Sequence, residues 1–125
     1  MSLLEECINS LKIMDKQIIL ENNCKQLIIN NMKNLVQFNK WGRIEWIQYI
    51  NVIDIETSQL HKIKGDFYII WNEIELPILK TNMRNILDNL DDVLAVDYDT
   101  WLLACDNSSI IEFYHNGDIK LLKLN

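Results

Sequence analysis

The stretch Asp66-Phe67-Tyr68-Ile69-Ile70-Trp71 places the tightest constraint on what this chain can fold into. Successive side chains of a strand point to opposite faces, so Phe67, Ile69 and Trp71 lie on one face and Tyr68 and Ile70 on the other. Such a strand is buried on both sides. The chain begins with a different period: Leu3, Leu4, Cys7, Ile8, Leu11 and Met14 recur at helical spacing, and Ser2 with Glu5 is placed to form a capping box. A second stripe through Leu20, Cys24, Leu27, Ile28, Met32, Leu35 and Val36 ends before Trp41-Gly42, where glycine can stop a helix. The two helices separate at Asp15 or at Glu21-Asn22-Asn23.

After Gly42, R-I-E-W-I-Q-Y-I-N-V-I-D-I is rich in β-branched and aromatic residues and reads as a strand or an irregular extended segment, followed by a polar turn. Pro77 suits either the first turn of a helix or a short extended lead before a cap at Thr81 or Asn82. The stripe Leu79, Met83, Ile86, Leu87, Leu90 predicts a helix ending near Leu90. V-L-A-V-D-Y-D-T-W-L-L-A-C-D is strand-like, either bent or turning near Asp99. The segments flanking Asn116-Gly117 form an antiparallel hairpin, for which a two-residue type I′ turn sets His115 opposite Asp118 and Glu112 opposite Leu121. The expected fold is α+β: N-terminal helices and one middle helix over 77–90, packed on a mostly antiparallel β-sheet that ends in a C-terminal hairpin. At 125 residues, 49% of them hydrophobic, with a single Pro and three Gly, the chain is expected to form one domain over 1–125.

Two glutamates stand near the start where a secretory signal carries basic residues, and no window approaches the roughly 20 apolar residues of a bilayer span. A cytoplasmic protein is expected. Cys7, Cys24 and Cys105 are odd in number, far apart and without a C-x-x-C, a spacing suited to reduced, mostly buried thiols. The net charge of -6 is unevenly spread: residues 1–64 hold eight basic and seven acidic residues, residues 65–125 four basic and eleven acidic. An acidic second half repels phosphate backbones and anionic membranes and favours a basic protein partner.

Catalytic chemistry finds little support in the residues. Glu112 and His115 are an odd number apart on a strand and point to opposite faces, so they form no local dyad. Asp97 and Asp99 share a face and could hold a hard cation, with Glu112 or Asp106 joining them if the fold allows. That arrangement defines the competing reading, a small metal-dependent hydrolase; a structural subunit of a larger assembly is a third. No glycine-rich phosphate loop and no nucleophile turn is present, and neither a catalytic residue nor a cofactor is expected. The charge is more informative. Asp88, Asp91 and Asp92 lie in or just after the last helical turn, where the dipole favours cations, so they do not stabilise their own helix. With Glu73, Glu75, Asp97 and Asp99 they form an acidic segment opposed only by Lys80 and Arg84. These residues, with Trp101 as an aromatic anchor, are the expected partner-binding set. Trp46 and Trp71 are assigned to the core, while Trp41 and Trp101 could serve either the core or an interface.

W-G-R-I-E-W at 41–46, D-F-Y-I-I-W through E-L-P-I-L-K at 66–80, D-D-V-L-A-V-D-Y-D-T-W-L-L at 91–103 and I-E-F-Y-H-N-G-D-I at 111–119 resemble small immunity proteins of bacterial contact-dependent growth inhibition and related polymorphic-toxin systems. The resemblance covers about residues 41–120, without the N-terminal helices. It implies a cytoplasmic protein that neutralises a cognate toxin domain, often a nuclease, by stoichiometric occlusion of an active site or exosite. An acidic surface suits that role, because a nuclease presents a basic substrate groove.

Overall fold

The computed structural model describes residues 2–12 and 15–124; Met14, counted in the first apolar stripe, lies outside them. The elements are α1 (Leu3–Ser10), β1 (Lys16–Ile19), α2 (Asn22–Leu35), β2 (Val52–Asp54), β3 (Asp66–Trp71), β4 (Ile78–Asn82), α3 (Met83–Asp88), α4 (Leu90–Ala95), β5 (Thr100–Ala104), β6 (Ser109–Phe113) and β7 (Ile119–Lys123). Short 3-10 helices occupy Trp46–Gln48 and Thr57–Lys62. The strands form one seven-stranded sheet in the order β1-β4-β3-β5-β6-β7-β2, antiparallel throughout.

Both faces of β3 are covered, as its composition requires. Phe67, Ile69 and Trp71 pack with Cys7 and Leu11 from the α1 segment and with Met83, Ile86 and Val93 from α3 and α4. Ile70 and Tyr68 pack on the other side with Met32, Val36 and Ile44. The α+β class therefore stands, with helices on an antiparallel sheet that ends in a hairpin. Ser2 caps α1, its hydroxyl accepting from the Glu5 N–H at 3.1 Å.

Several local expectations are corrected. A four-residue edge strand, β1, lies between the first two helices, and the Glu21 carboxylate caps α2 by accepting from Asn23 and Cys24 N–H. Leu20 and Leu27 remain exposed, so the second stripe is only partly interior. Gly42 does not end α2, which stops at Leu35; with φ +76 it closes a turn through its N–H to the Asn39 carbonyl at 3.1 Å. The expected helix over 77–90 divides. Pro77 leads into β4, and Asn82 caps α3 by accepting from the Asn85 N–H at 2.8 Å. Leu79 and Met83 face the same apolar cluster, one from the strand and one from the helix, so the helical stripe runs unbroken across the boundary. Val93 through Ala95, expected in a strand, belong to α4, where Val93 is fully buried and its carbonyl accepts from Trp71 Nε1 at 3.0 Å. Of the cysteines only Cys7 is buried; burial first, then the Asp92 charge, push its thiol up to about 11 against the opposing pull of Lys16.

The hairpin register shifts by one. Tyr114 N–H donates to the Asp118 carbonyl and Gly117 N–H to the Tyr114 carbonyl, both at 3.0 Å. The loop therefore has three residues, with Gly117 at φ +97 and Asn116 at negative φ, whereas a type I′ turn needs positive φ at both central positions. Glu112 faces Lys120 rather than Leu121, and His115 sits at the tip rather than opposite Asp118.

Paired with Trp101 of β5, Glu112 lies on the face covered by α2, where it is 1% exposed. Its Oε1 accepts from Arg43 Nε at 2.7 Å and Trp46 Nε1 at 2.8 Å; its Oε2 accepts from the Ile44 N–H at 2.8 Å and Trp101 Nε1 at 3.0 Å. Four donors thus satisfy one buried carboxylate and pin the loop after α2 to the sheet. Glu112→Gln keeps the shape but removes the charge and turns an NH2 toward donors. We expect a loss of about 3 kcal/mol, the range for breaking a buried ion pair. Urea unfolding measures it, and a loss below about 1 kcal/mol, the level of an exposed pair, would contradict this role.

Candidate interface at one end of the sheet

Strand pairing gathers three loops at one end of the sheet. Trp71 pairs with Thr100, Thr100 with Phe113 and Phe113 with Ile119, while Leu79 beside the start of β4 pairs with Ile69. The segments 72–77, 96–99 and 114–118 therefore emerge side by side. They carry Glu73, Glu75, Asp97, Asp99 and Asp118.

These acids divide by what they touch. Asp97 accepts from the Glu73 N–H and from the Tyr98 N–H, each at 2.8 Å, and so ties the 96–99 segment to the 72–77 loop. Asp99 accepts from the His115 N–H at 2.9 Å and lies 3.0 Å from His115 Nδ1, tying the same segment to the hairpin tip. The Asp-Tyr-Asp spacing thus joins three adjacent loops. Glu73, Glu75 and Asp118 remain exposed. The bond from the Asn116 side chain, then the Arg43 guanidinium, hold the Asp118 carboxyl below the usual carboxylate range. Arg43 itself lies over the Tyr114 ring at 4.2 Å.

The 72–77 loop is held from below as well. Lys25 of α2, only 6% exposed, donates through Nζ to the carbonyls of Ile74 at 3.0 Å and Leu76 at 3.2 Å. The clamp leaves Ile74 standing outward between Glu73 and Glu75, and Tyr98 is likewise exposed between its two aspartates.

The rest of the expected set lies elsewhere. Asp88, Asp91 and Asp92 border an open depression near His61, Thr57 and Ser58 at the junction of α3 and α4, and Asp92 accepts from the Ser10 hydroxyl of α1. Trp101 is 4% exposed with its indole N–H on Glu112, so the expected surface anchor is a core residue instead. Trp71 is buried and Trp46 half-buried, as assigned to the core, whereas Trp41 is exposed. Asp97, Asp99 and Glu112 each have separate donors, and among the described residues no group of three or more His, Cys, Asp or Glu is placed to hold a metal ion. No helix among the described residues is long and apolar enough to cross a membrane. Sequence reading missed Lys25, Ile74 and Tyr98; the alternation Glu73-Ile74-Glu75 before Pro77 was the available signal, an apolar residue between acids in a turn-forming stretch.

The model of the family described as CdiI immunity protein EcoliA0-like matches residues 1–122, which takes in the N-terminal helices left out of the resemblance over 41–120. No curated protein matches the chain.

Replacing Lys25 by Met removes the donors of two loop carbonyls while keeping most of the apolar stem. Amide exchange in 72–77 should speed up at least tenfold while β5 and β6 stay protected. Unchanged exchange in that loop would show that Lys25 does not hold it.

Proposed function

The chain belongs to the EcoliA0-like CdiI immunity proteins, and we propose that it neutralises its cognate toxin domain by binding it with the acidic end of the sheet. The observation that carries this reading is the row of exposed Glu73, Glu75 and Asp118 on loops joined edge to edge by Asp97 and Asp99. Loops fixed before the encounter lose less conformational freedom on binding than mobile ones. Like charges held in one row speed and orient association with a basic surface. A nuclease toxin supplies such a surface in its substrate groove, where carboxylates take the place of phosphates. The mechanism is stoichiometric occlusion in the cytoplasm, with no chemical step. Asp88, Asp91 and Asp92 form a second acidic group on the helical side, and Trp101 contributes from the core, on Glu112, rather than as an exposed anchor.

Growth rescue of cells expressing the toxin domain tests the function, and paired charge reversals test the surface. Glu73→Lys with Glu75→Lys should weaken toxin binding about tenfold or more, since each exposed charge contact is worth up to about 1 kcal/mol. Its affinity should also fall less steeply with salt than that of the unaltered protein. Asp88→Lys with Asp91→Lys should act less than half as strongly on a logarithmic scale. The reverse ranking would move the interface to the α3–α4 face, and absence of rescue by the unaltered protein would remove the immunity reading for that toxin.

A further inference from the structure

We propose that a groove beside the 72–77 loop receives one apolar side chain of the toxin, presented by a segment whose flanking residues are Lys or Arg. This rests on the immunity reading above and specifies what the acidic end recognises. The groove lies between α2 and the loop, and its walls include Ile29, Met32, Phe38, Ile74, Leu76 and Trp101. Its volume of about 190 Å³ exceeds the roughly 150 Å³ that suffices for a benzene-sized group in an apolar cavity. Of the two concavities near His61, one has apolar walls in Ile63, Met83 and Leu87 but carries Lys64 and Arg84, which oppose a basic segment, and the one beside it is lined mostly by polar groups such as Thr57, Ser58, Asp91 and Asp92.

Three features make this groove a recognition site rather than a packing gap. Its floor is rigid, because the Phe38 ring meets Trp101 edge-on at 5.6 Å and the Trp101 indole N–H is fixed on Glu112. Its outer wall is rigid as well, since Lys25 holds the carbonyls of Ile74 and Leu76 while Asp97 holds the Glu73 N–H. Its lip combines the two chemistries required of the ligand. Ile74 is 68% exposed and adds apolar surface at the mouth, with Glu73 and Glu75 on either side; Lys33 on the α2 side is the one basic group in the lining. An incoming acidic segment meets the glutamates first. A basic segment is attracted, and its apolar residue gains the dry seat, with the charges forming the wet rim of a small hot spot.

The test uses the full chain and its cognate toxin domain, with dissociation constants measured at low and high salt. Ile29→Trp fills the groove from the half-buried face of α2, and Ile74→Ser removes apolar surface from an exposed loop position that folding does not need. Expected results are at least a thirtyfold loss for I29W and a fivefold to tenfold loss for I74S, both through faster dissociation and with the salt dependence unchanged, because apolar burial is not screened. The Glu73→Lys, Glu75→Lys pair changes the salt dependence instead, which separates the two contributions. If I29W and I74S bind within twofold of the unaltered protein while the charge reversal weakens binding, the groove proposal is wrong and the acidic-end reading survives. If all three bind normally, both fail. Should I29W not fold by circular dichroism, I74S alone decides, with affinity within twofold overturning the proposal.

Discussion

A single buried carboxylate organises the half of this molecule that faces α2. Glu112 lies in the apolar run Ile110-Ile111-Glu112-Phe113, where a charge excluded from water is costly unless fully bonded. Its four donors come from the Arg43–Trp46 segment and from Trp101 on the neighbouring strand. With Glu112 itself they belong to three of the stretches that carry the family resemblance, which the fold brings to one point. The consequence extends outward: Arg43, fixed by Glu112, covers Tyr114 and reaches toward Asp118 at the hairpin tip, while Trp101, fixed by the same carboxylate, becomes the floor of the groove.

From that anchor the acidic end acquires two kinds of acid. Asp97 and Asp99 turn inward and spend their oxygens on neighbouring backbone N–H groups, setting the spacing of three loops. Glu73 and Glu75 remain outward and give those loops their charge. Lys25 completes the scaffold from below, an ammonium used to hold two carbonyls. Positioning thus falls to one set of residues in the acidic segment and the proposed recognition to another, and substitutions in the two groups are expected to have different signatures in stability and in salt dependence.

The fold was readable where one strand or helix determined its own pattern. The two-sided apolar character of β3, the Ser2 cap and the existence of the C-terminal hairpin are properties of adjacent residues. The boundary between β4 and α3 was hidden because Leu79 and Met83 face one core, and β1 because four residues of mixed polarity at a sheet edge carry little pattern. The hairpin register turned on whether Asn116 takes positive φ, a choice the Asn-Gly dipeptide leaves open. The site was readable as charge but not as geometry. Glu112 and its Arg43 and Trp46 partners are 69 and 66 residues apart, and Lys25 lies 49 residues from Ile74, separations across which no local period can report. Trp101 was equally at home in a core or an interface until its Glu112 bond was known.

On the proposed function, the toxin is bound by the loops at one end of the sheet. Amide hydrogen exchange of the protein with and without its cognate toxin domain tests it directly. Added protection is predicted in 72–77, 96–99 and 114–118, together with the exposed part of α2 that borders the groove. Protection confined to the α3–α4 junction, or to the opposite end of the sheet around Gly65 and Asp106, would contradict it.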